Sequence, residues 1–202
     1  MNQLLAPLVL ALAAAVTSLP AGAERADRNK PMNVEADALK YDDLKQTSVF
    51  TGKVVVTKGS ILIRGARIDV RQDADGYQYG IVTAEPGKLA FYRQKREGVD
   101  EFIEGEGEVI EYDGKVDRVK FIKRAEMRRI RGGTLADEVV GSLITYDNTT
   151  DVFTVDGGPA SPAMGGRVRA VLTPRQGASA PATSGGPPAQ LRPSATFDGG
   201  KK

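Results

Sequence analysis

Apolar and polar residues alternate along residues 30–174 with a period of two, which is the pattern of half-buried β-strands. Every second residue of 32–38 is apolar, and Phe50, Val54 and Val56 share one face. Over the same residues the chain has no stretch of helical period bounded by capping residues. The pattern therefore predicts an all-β fold.

The alternation changes register inside one of the predicted strands. Ile61 and Ile63 share a face, whereas Ile68 and Val70 follow at an odd offset. Gly65 lies between the two pairs, and a small residue permits a bend or a bulge at that point. We therefore expect one long, bent strand whose two halves face the same interior.

A weak repeat runs through this part of the chain. A small residue is followed three positions later by an aliphatic residue, and two positions after that by Tyr or Val. Each copy predicts a strand that ends in a turn, with its last inward residues at the aliphatic and Tyr positions. The copies are Ala36-x-x-Leu39-x-Tyr41, Gly65-x-x-Ile68-x-Val70, Gly107-x-x-Ile110-x-Tyr112 and Gly141-x-x-Ile144-x-Tyr146.

The composition narrows the possible chemistry. The 202 residues contain no Cys and no His, which excludes Ser–His and Cys–His nucleophile pairs and removes the commonest metal ligands. The formal net charge is only +2, so bulk attraction to nucleic acid is not expected. Catalysis by carboxylates or Lys stays open on composition alone, but the chain gives no positive sign of it, and we expect a protein that is not an enzyme, with no catalytic residue, no metal, no cofactor and no nucleic-acid partner.

The two ends of the chain differ from its middle. Leu4–Val16 is apolar throughout and is followed by Ala21-Gly22-Ala23, the pattern of a cleaved export signal, with a buried N-terminal helix as the alternative. The last part of the chain is rich in Gly, Pro, Ala and Ser. We expect a signal peptide over 1–23 cleaved near Ala23, a folded domain over 24–174 and a disordered tail over 175–202.

Two charged stretches invite functional interpretations. The acidic stretch Asp100–Asp113 suggests a calcium site or a pair of glycosidase carboxylates in its Glu104–Glu108 part, but cross-strand charge pairing is the simpler interpretation. The basic stretch Arg118–Arg131 suggests contact with a lipid or glycan phosphate. Because aromatic residues suited to base stacking are not interleaved in it, nucleic acid is not expected, and a structural role stays open.

The inward aromatic and aliphatic positions have two interpretations. Their ordinary role is a closed core. The alternative is an open apolar groove between two sheets that accepts a lipid chain. The residues alone do not separate these interpretations.

The predicted domain resembles the OstA-like (LptA) family of lipopolysaccharide-transport proteins over about residues 30–174. The phrase Phe50-Thr51-Gly52-x-Val54-x-Val56-Thr57 is the most specific part of this resemblance. The chain departs from the family at Lys123-Arg124, where a second Thr-Gly-Asn phrase is expected. The other residues that carry the resemblance are Pro31-x-x-Val34-x-Ala36-Asp37, Pro86-Gly87-Lys88, Phe91-Tyr92-x-Gln94, Ile110-x-Tyr112, Gly141-x-x-Ile144-Thr145-Tyr146 and Val168-x-x-Val171-Leu172-x-Pro174.

The resemblance implies an open, V-shaped β-jellyroll of two antiparallel sheets in a periplasmic protein. Such proteins bind lipopolysaccharide acyl chains in their interior and stack head to tail between the inner and outer membranes. The implied partners are lipopolysaccharide, an LptC-like inner-membrane protein, an LptD-like outer-membrane protein and further copies of the chain. The alternative is an exported β-sandwich that acts as an adaptor or structural protein without lipid cargo.

Two sets of residues are assigned roles on this basis. The expected lipid-groove residues are Met32, Val34, Phe50, Val54, Val56, Ile63, Ile68, Phe91, Ile110, Tyr112, Ile144 and Tyr146. The expected edge-strand residues for self-association are Met32, Val34, Ala36, Val168, Ala170 and Leu172.

Overall fold

A computed structural model describes Asp27 and residues 30–174 of the chain. The predictions made for residues 1–23 and 175–202 lie outside these described residues. The described part contains β-strands and one 3₁₀ turn, and none of its helical segments is long and apolar enough to span a membrane. The elements are β1 (Asn33–Glu35), β2 (Ala38–Asp42), β3 (Thr47–Lys58), β4 (Ile61–Gln72), β5 (Gln78–Thr83), β6 (Ala90–Lys95), β7 (Glu101–Gly107), β8 (Val109–Asp113), β9 (Arg118–Arg131), β10 (Thr134–Asp147), β11 (Val152–Asp156), the 3₁₀ turn Met164–Gly166 and β12 (Arg169–Leu172).

The strands form one antiparallel sheet that folds into two layers, because the long strands β3, β4, β9 and β10 take part in both layers. Sheet I has the order β1-β3-β4-β6-β7-β9-β10-β12. Sheet II has the order β2-β3-β4-β5-β8-β9-β10-β11. One half of each long strand therefore belongs to sheet I and the other half to sheet II.

The long strands pass from one sheet to the other along one side of the domain, which we call the crossing side. The strand pairings slip in register there, between Thr51 and Val54 and again between Gly141 and Leu143. The residues at the four crossings are Gly52–Lys53 in β3, Gly65–Ala66 in β4, Lys123–Arg124 in β9 and Gly141–Ser142 in β10.

The hairpin turns lie at the opposite ends of the strands, on what we call the turn side. Sheet I and sheet II contribute alternate turns along this side, since each hairpin stays within one sheet. The turns of sheet I are 59–60, 96–100 and 132–133, and those of sheet II are 43–46, 73–77, 114–117 and 148–151.

The core lies between the two sheets. Phe121 of sheet II packs directly on Gly105 of sheet I, where an added Cβ would lie 2.1 Å from the Phe121 Cζ atom. Tyr92 of sheet I meets the same ring edge to face, with the ring centroids 5.7 Å apart. Because only glycine leaves room for the ring, Gly105 sets how closely the sheets approach.

The all-β prediction is confirmed, as is the bend predicted from the odd offset in β4. Ile63 and Ile68 are both buried, and the register shift of the β3–β4 pair lies between them. The family departure at Lys123-Arg124 coincides with the bulge of β9, where both residues adopt positive φ angles of 60° and 48°. Two cationic residues thus adopt a left-handed backbone that glycine adopts more readily.

Candidate functional site

The interior between the sheets is apolar on the crossing side. The strands alternate, so each of the long strands sends every second residue inward from both sheets. Val54 and Ile63 face inward from sheet I, and Ile110 and Ile144 from sheet II, all at most 4% exposed. They belong to one contiguous cluster that also contains Tyr92, Phe121 and Met127.

Polar residues line the same interior where it reaches the turn side. Lys58, Asp117 and Asn148 are buried polar residues, and each lies at or beside a turn. The Asn148 Nδ2 group donates a hydrogen bond of 3.0 Å to Asp117 Oδ1, and the Lys58 ammonium lies 5.9 Å from the centre of the Tyr112 ring. The interior therefore changes from polar on the turn side to apolar toward the crossing side, and we call its polar end the rim.

Arg96 joins the two sheets at the rim. Its guanidinium forms an ion pair with Glu101 within sheet I, and its Nη2 atom lies 3.1 Å from Asp151 Oδ2 in the β10–β11 turn of sheet II. Burial alone would lower the pKa of Arg96, but hydrogen bonds to Asp151 and Glu101 outweigh it and raise that pKa. Arg96 therefore stays charged.

Asp151 and Glu101 are themselves held by neighbouring groups. The Tyr146 hydroxyl donates a hydrogen bond of 2.8 Å to Asp151 Oδ1, and burial together with that bond raises the pKa of Tyr146. Arg131 Nε donates to Glu101 Oε1 at 2.7 Å. Burial would raise the pKa of Glu101, but hydrogen bonds from Arg131 and Arg96 hold it below its ordinary value.

Two open cavities lie along the rim. One, of about 430 Å³, is lined by Lys30 and Lys58 together with residues of the 73–77 turn. The other, of about 180 Å³, is lined by Arg96, Asp151 and Asn148 among others. Both cavities are bordered by turns of sheet I and by turns of sheet II. On this side, therefore, the two sheets face each other across side chains and open space, with no strand of the described residues running between them.

The structure brings together most of the residues that the sequence assigned to a groove. Eight of them are buried in the cluster between the sheets, whereas Met32, Val34 and Phe50 are partly buried and pack against its margin. The eight are Val54, Val56, Ile63, Ile68, Ile110, Tyr112, Ile144 and Tyr146. In the described structure these side chains pack against one another and fill the middle of the interior.

Phe91 requires a correction. It pairs with Arg64 and Glu106 on the outer face of sheet I, where the Arg64 guanidinium lies 5.7 Å from the centre of its ring. The next residue, Tyr92, points inward and is fully buried. Two adjacent aromatic residues face opposite ways in a strand, and the sequence pattern selected the wrong one of the two.

The expected edge strands also need one correction. The alternating segment 32–38 does not form a single strand: β1 (Asn33–Glu35) belongs to sheet I, β2 (Ala38–Asp42) belongs to sheet II, and Ala36 lies between them. Met32 and Val168 lie just outside β1 and β12. Within the described residues, β1 and β12 each pair with one strand only, so they are the two edges of sheet I.

The charged stretches pair with each other on the outer face of sheet I. Glu108 pairs with Arg124 at 3.0 Å, whereas Glu104 pairs at 3.5 Å with Arg93 of β6, which lies outside the basic stretch. Glu106 pairs with Arg128 at 3.1 Å. The predicted cross-strand charge pairing is confirmed, and among the described residues no group of acidic side chains has the arrangement of a metal site.

The sequence family described as "LptA/(LptD N-terminal domain) LPS transport protein" matches residues 33–152. The chain is 34% identical over 146 residues to the lipopolysaccharide export system protein LptH of Pseudomonas aeruginosa. The aligned region covers 72% of this chain and 79% of LptH. The chain is 29% identical over 173 residues to the LptA protein of Haemophilus influenzae, covering 85% of this chain and 90% of the relative.

The fold is similar to a solved structure as well. That structure is a crystal structure of LptH, described as the LptA-homologous periplasmic component of the conserved lipopolysaccharide transport device from Pseudomonas aeruginosa. The TM-score is 0.61 at 27% sequence identity, and the match covers 73% of this chain and 99% of the other.

Proposed function

The chain belongs to the family of LptA proteins and LptD N-terminal domains, and from this membership we propose that it transports lipopolysaccharide by holding acyl chains between sheet I and sheet II. The observation that carries this proposal is the change in the interior from polar at the rim to apolar toward the crossing side. Acyl chains suit the apolar crossing side, and a charged headgroup suits the rim.

The hydrophobic effect gives the physical reason for such an interior. Each methylene removed from water contributes about 0.8 kcal/mol, so several exposed acyl chains would cost tens of kcal/mol in an aqueous compartment. Aliphatic and aromatic walls supply this stabilisation without directional contacts, and cargo can therefore leave again. No reaction is required of the protein, and the driving energy comes from a partner.

Cargo binding requires the sheets to separate on the turn side, because the described side chains fill the middle of the interior. The two sides differ in what joins the sheets. Four continuous strands join them on the crossing side, whereas side-chain contacts such as Arg96–Asp151 join them on the turn side. We propose that the crossings act as the hinge, and that the groove-wall residues are those named above, with Tyr92 in place of Phe91.

We further propose that copies of the chain stack head to tail in the periplasm. Strands alternate in direction across sheet I, so its edge strands β1 and β12 run in opposite directions, and the same holds for β2 and β11 in sheet II. A second copy that places its β1 beside β12 would extend the antiparallel pattern. An LptC-like protein and an LptD-like protein would pair with the two ends of the stack.

A matched pair of cross-linking positions tests the interior site. Ile63 points inward and Leu62 points outward, and the two are adjacent aliphatic residues of β4. An aliphatic diazirine amino acid at each position, followed by illumination with lipopolysaccharide, should give adducts at 63 and not at 62. Adducts at both positions, or at neither, would contradict an interior site and favour an adaptor without lipid cargo.

A pair of truncations tests the stacking. A chain that ends at residue 174 retains β12, whereas a chain that ends at residue 168 lacks it. We expect concentration-dependent association in light scattering for the first and its loss for the second, with similar thermal unfolding of the two. Equal association of both chains would exclude β12 as the pairing edge.

A further inference from the structure

Arg96 is placed where the headgroup of a bound lipid would lie. It belongs to the rim, it lines the cavity of about 180 Å³, and its guanidinium spans the space between the two sheets. Resting on the transport function proposed above, we propose that Arg96 binds an oxyanion of the cargo headgroup, and that Asp151 occupies this binding edge until the cargo displaces it.

The Arg96 guanidinium has two hydrogen-bonding edges, and each edge contacts a different carboxylate. Glu101 takes the Nη1 atom, while Asp151 takes the other edge, with Nη2 to Oδ2 at 3.1 Å and Nε to Oδ1 at 3.4 Å. The edge formed by Nε and Nη2 matches the spacing of two oxygens of a phosphate or a carboxylate. Asp151 therefore occupies the edge that a headgroup oxyanion would use.

Glu101 keeps Arg96 in position when Asp151 leaves. It is one of the less exposed acidic side chains, at 12%, and Arg131 also donates to it at 2.7 Å. The Arg96–Glu101 pair lies within one hairpin of sheet I, so separating the sheets does not break it. The guanidinium would remain oriented, with its second edge open toward the rim.

Asp151 is the more easily displaced partner. Its side chain is 52% exposed, it lies in a turn, and its backbone adopts a positive φ of 57°. An exposed carboxylate gives a weak ion pair because water competes with it. A phosphate carries more charge than a carboxylate and offers more acceptor oxygens, so it competes well for the same guanidinium edge.

Displacement of Asp151 would also act on the sheets themselves. The Arg96–Asp151 ion pair connects a turn of sheet I to a turn of sheet II. When an oxyanion replaces Asp151, that connection is lost at the moment the headgroup arrives. Cargo binding and separation of the turn side are then coupled through one arginine.

Three variants and a control pair test the inference on the full chain. Asp151→Asn removes the competing charge but keeps an oxygen that can accept from the Tyr146 hydroxyl. Arg96→Gln removes the guanidinium. Arg96→Lys keeps the positive charge but cannot donate two parallel hydrogen bonds to one oxyanion. The control is the Arg67–Asp69 ion pair on the outer face of sheet II, changed as Arg67→Gln and Asp69→Asn. Affinities are measured for lipid A with both phosphates, for dephosphorylated lipid A, and for lipid A that bears the acidic inner sugars.

For the phosphorylated lipid we expect Asp151→Asn to bind roughly threefold to tenfold more tightly, and Arg96→Gln to bind about tenfold more weakly, with Arg96→Lys between the wild type and Arg96→Gln. Dephosphorylated lipid A should be insensitive to all three changes. If only the lipid with acidic sugars responds, a carboxylate is the oxyanion that Arg96 binds. The control pair should leave every affinity unchanged.

The two proposals fail in different ways. If the wild-type chain binds none of the three lipids, the transport function itself is wrong. If it binds them but Asp151→Asn weakens or leaves unchanged the binding of both the phosphorylated lipid and the lipid with acidic sugars, Asp151 does not compete for Arg96 and the inference is overturned. An equal, measurable change of affinity for dephosphorylated and phosphorylated lipid A in these variants would also overturn it.

Discussion

The crossing side and the turn side join the same two sheets by different means. On the crossing side the connection is made by backbone, because β3, β4, β9 and β10 each continue from one sheet to the other. On the turn side it is made by side chains, which include the Arg96–Asp151 ion pair and Lys58 placed against Tyr112. The first kind of connection persists in any folded state, and the second can break while the fold is retained.

Arg124 strengthens the difference on the crossing side. Its Nη2 group donates to the backbone oxygens of Gly87 and Lys88, at 3.2 and 3.0 Å, and its Nε pairs with Glu108. It therefore ties the β5–β6 and β7–β8 connections to β9. The sheets are thus held by backbone where the strands cross and by side chains at the turns, which suits the proposed separation of the turn side around a lipid.

The largest expected effect comes from crowding the crossing side. A Cβ at Gly141 would lie 2.6 Å from Val155 Cγ1 and 2.7 Å from the backbone oxygen of Asp156, so the β10–β11 pair must shift. We expect Gly141→Ala to lower the free energy of unfolding by about 3 kcal/mol in urea titrations.

The matched control is another strand glycine. A Cβ at Gly80 would meet Ile68 Cδ1 at 3.6 Å, which is an ordinary contact. Gly80→Ala should therefore change stability by no more than about 0.5 kcal/mol, or raise it, since alanine loses less backbone entropy on folding. Equal losses for the two variants would argue against a tightly packed crossing.

Removal of the Arg124 side chain should have the next largest effect. Arg124→Ala deprives two backbone oxygens and one carboxylate of their donor, and we expect a loss of about 2 kcal/mol. Arg118 is a matched control in the same strand, because it is similarly exposed, at 42% against 40%, but forms one ion pair with Asp147. Arg118→Ala should cost less than about 1 kcal/mol. A reversed order of the two losses would show that the crossing side does not depend on Arg124.

A stabilising change is expected at the neighbouring position. Lys123 adopts a φ of 60°, which costs an ordinary residue about 1 kcal/mol relative to glycine, and its side chain is exposed. Lys123→Gly should raise the free energy of unfolding by about 0.5–1 kcal/mol. Lys120→Gly, in the regular part of β9, should lower it, and a loss in both variants would contradict strain at the crossing.

The smallest effect concerns the turn side and depends on pH. Glu101 faces Arg96, Arg129 and Arg131, and the pKa of its carboxyl group is lower in the folded chain than its ordinary value. The ionised form thus stabilises the fold above the ordinary pKa, and this contribution is lost as the pH falls toward the folded-state pKa. Glu101→Gln should flatten the decrease in stability on acidification, measured by urea unfolding from neutral to acid pH. An unchanged slope would show that the rim arginines do not act through Glu101.

Particular residues show how far the sequence predicted the fold and the site. The odd offset between Ile63 and Ile68 located a strand crossing, because a two-residue period that slips by one must bend to keep facing the core. The choice of Phe91 over Tyr92 was wrong, since both lie in one apolar run and only the β6–β7 register decides which faces inward. The rim was not predicted, because Arg96, Glu101 and Asp151 come together from hairpins that are distant in the chain.

The all-β fold and the bend of β4 near Gly65 followed from the order of residues alone, because both depend on the local alternation of side chains. The folded domain was needed to show that the bends share one side, that the polar ends of the strands share the other, and that Arg96 reaches Asp151 across them. Such juxtapositions depend on which strands pair, and pairing is fixed by the packing of the whole domain.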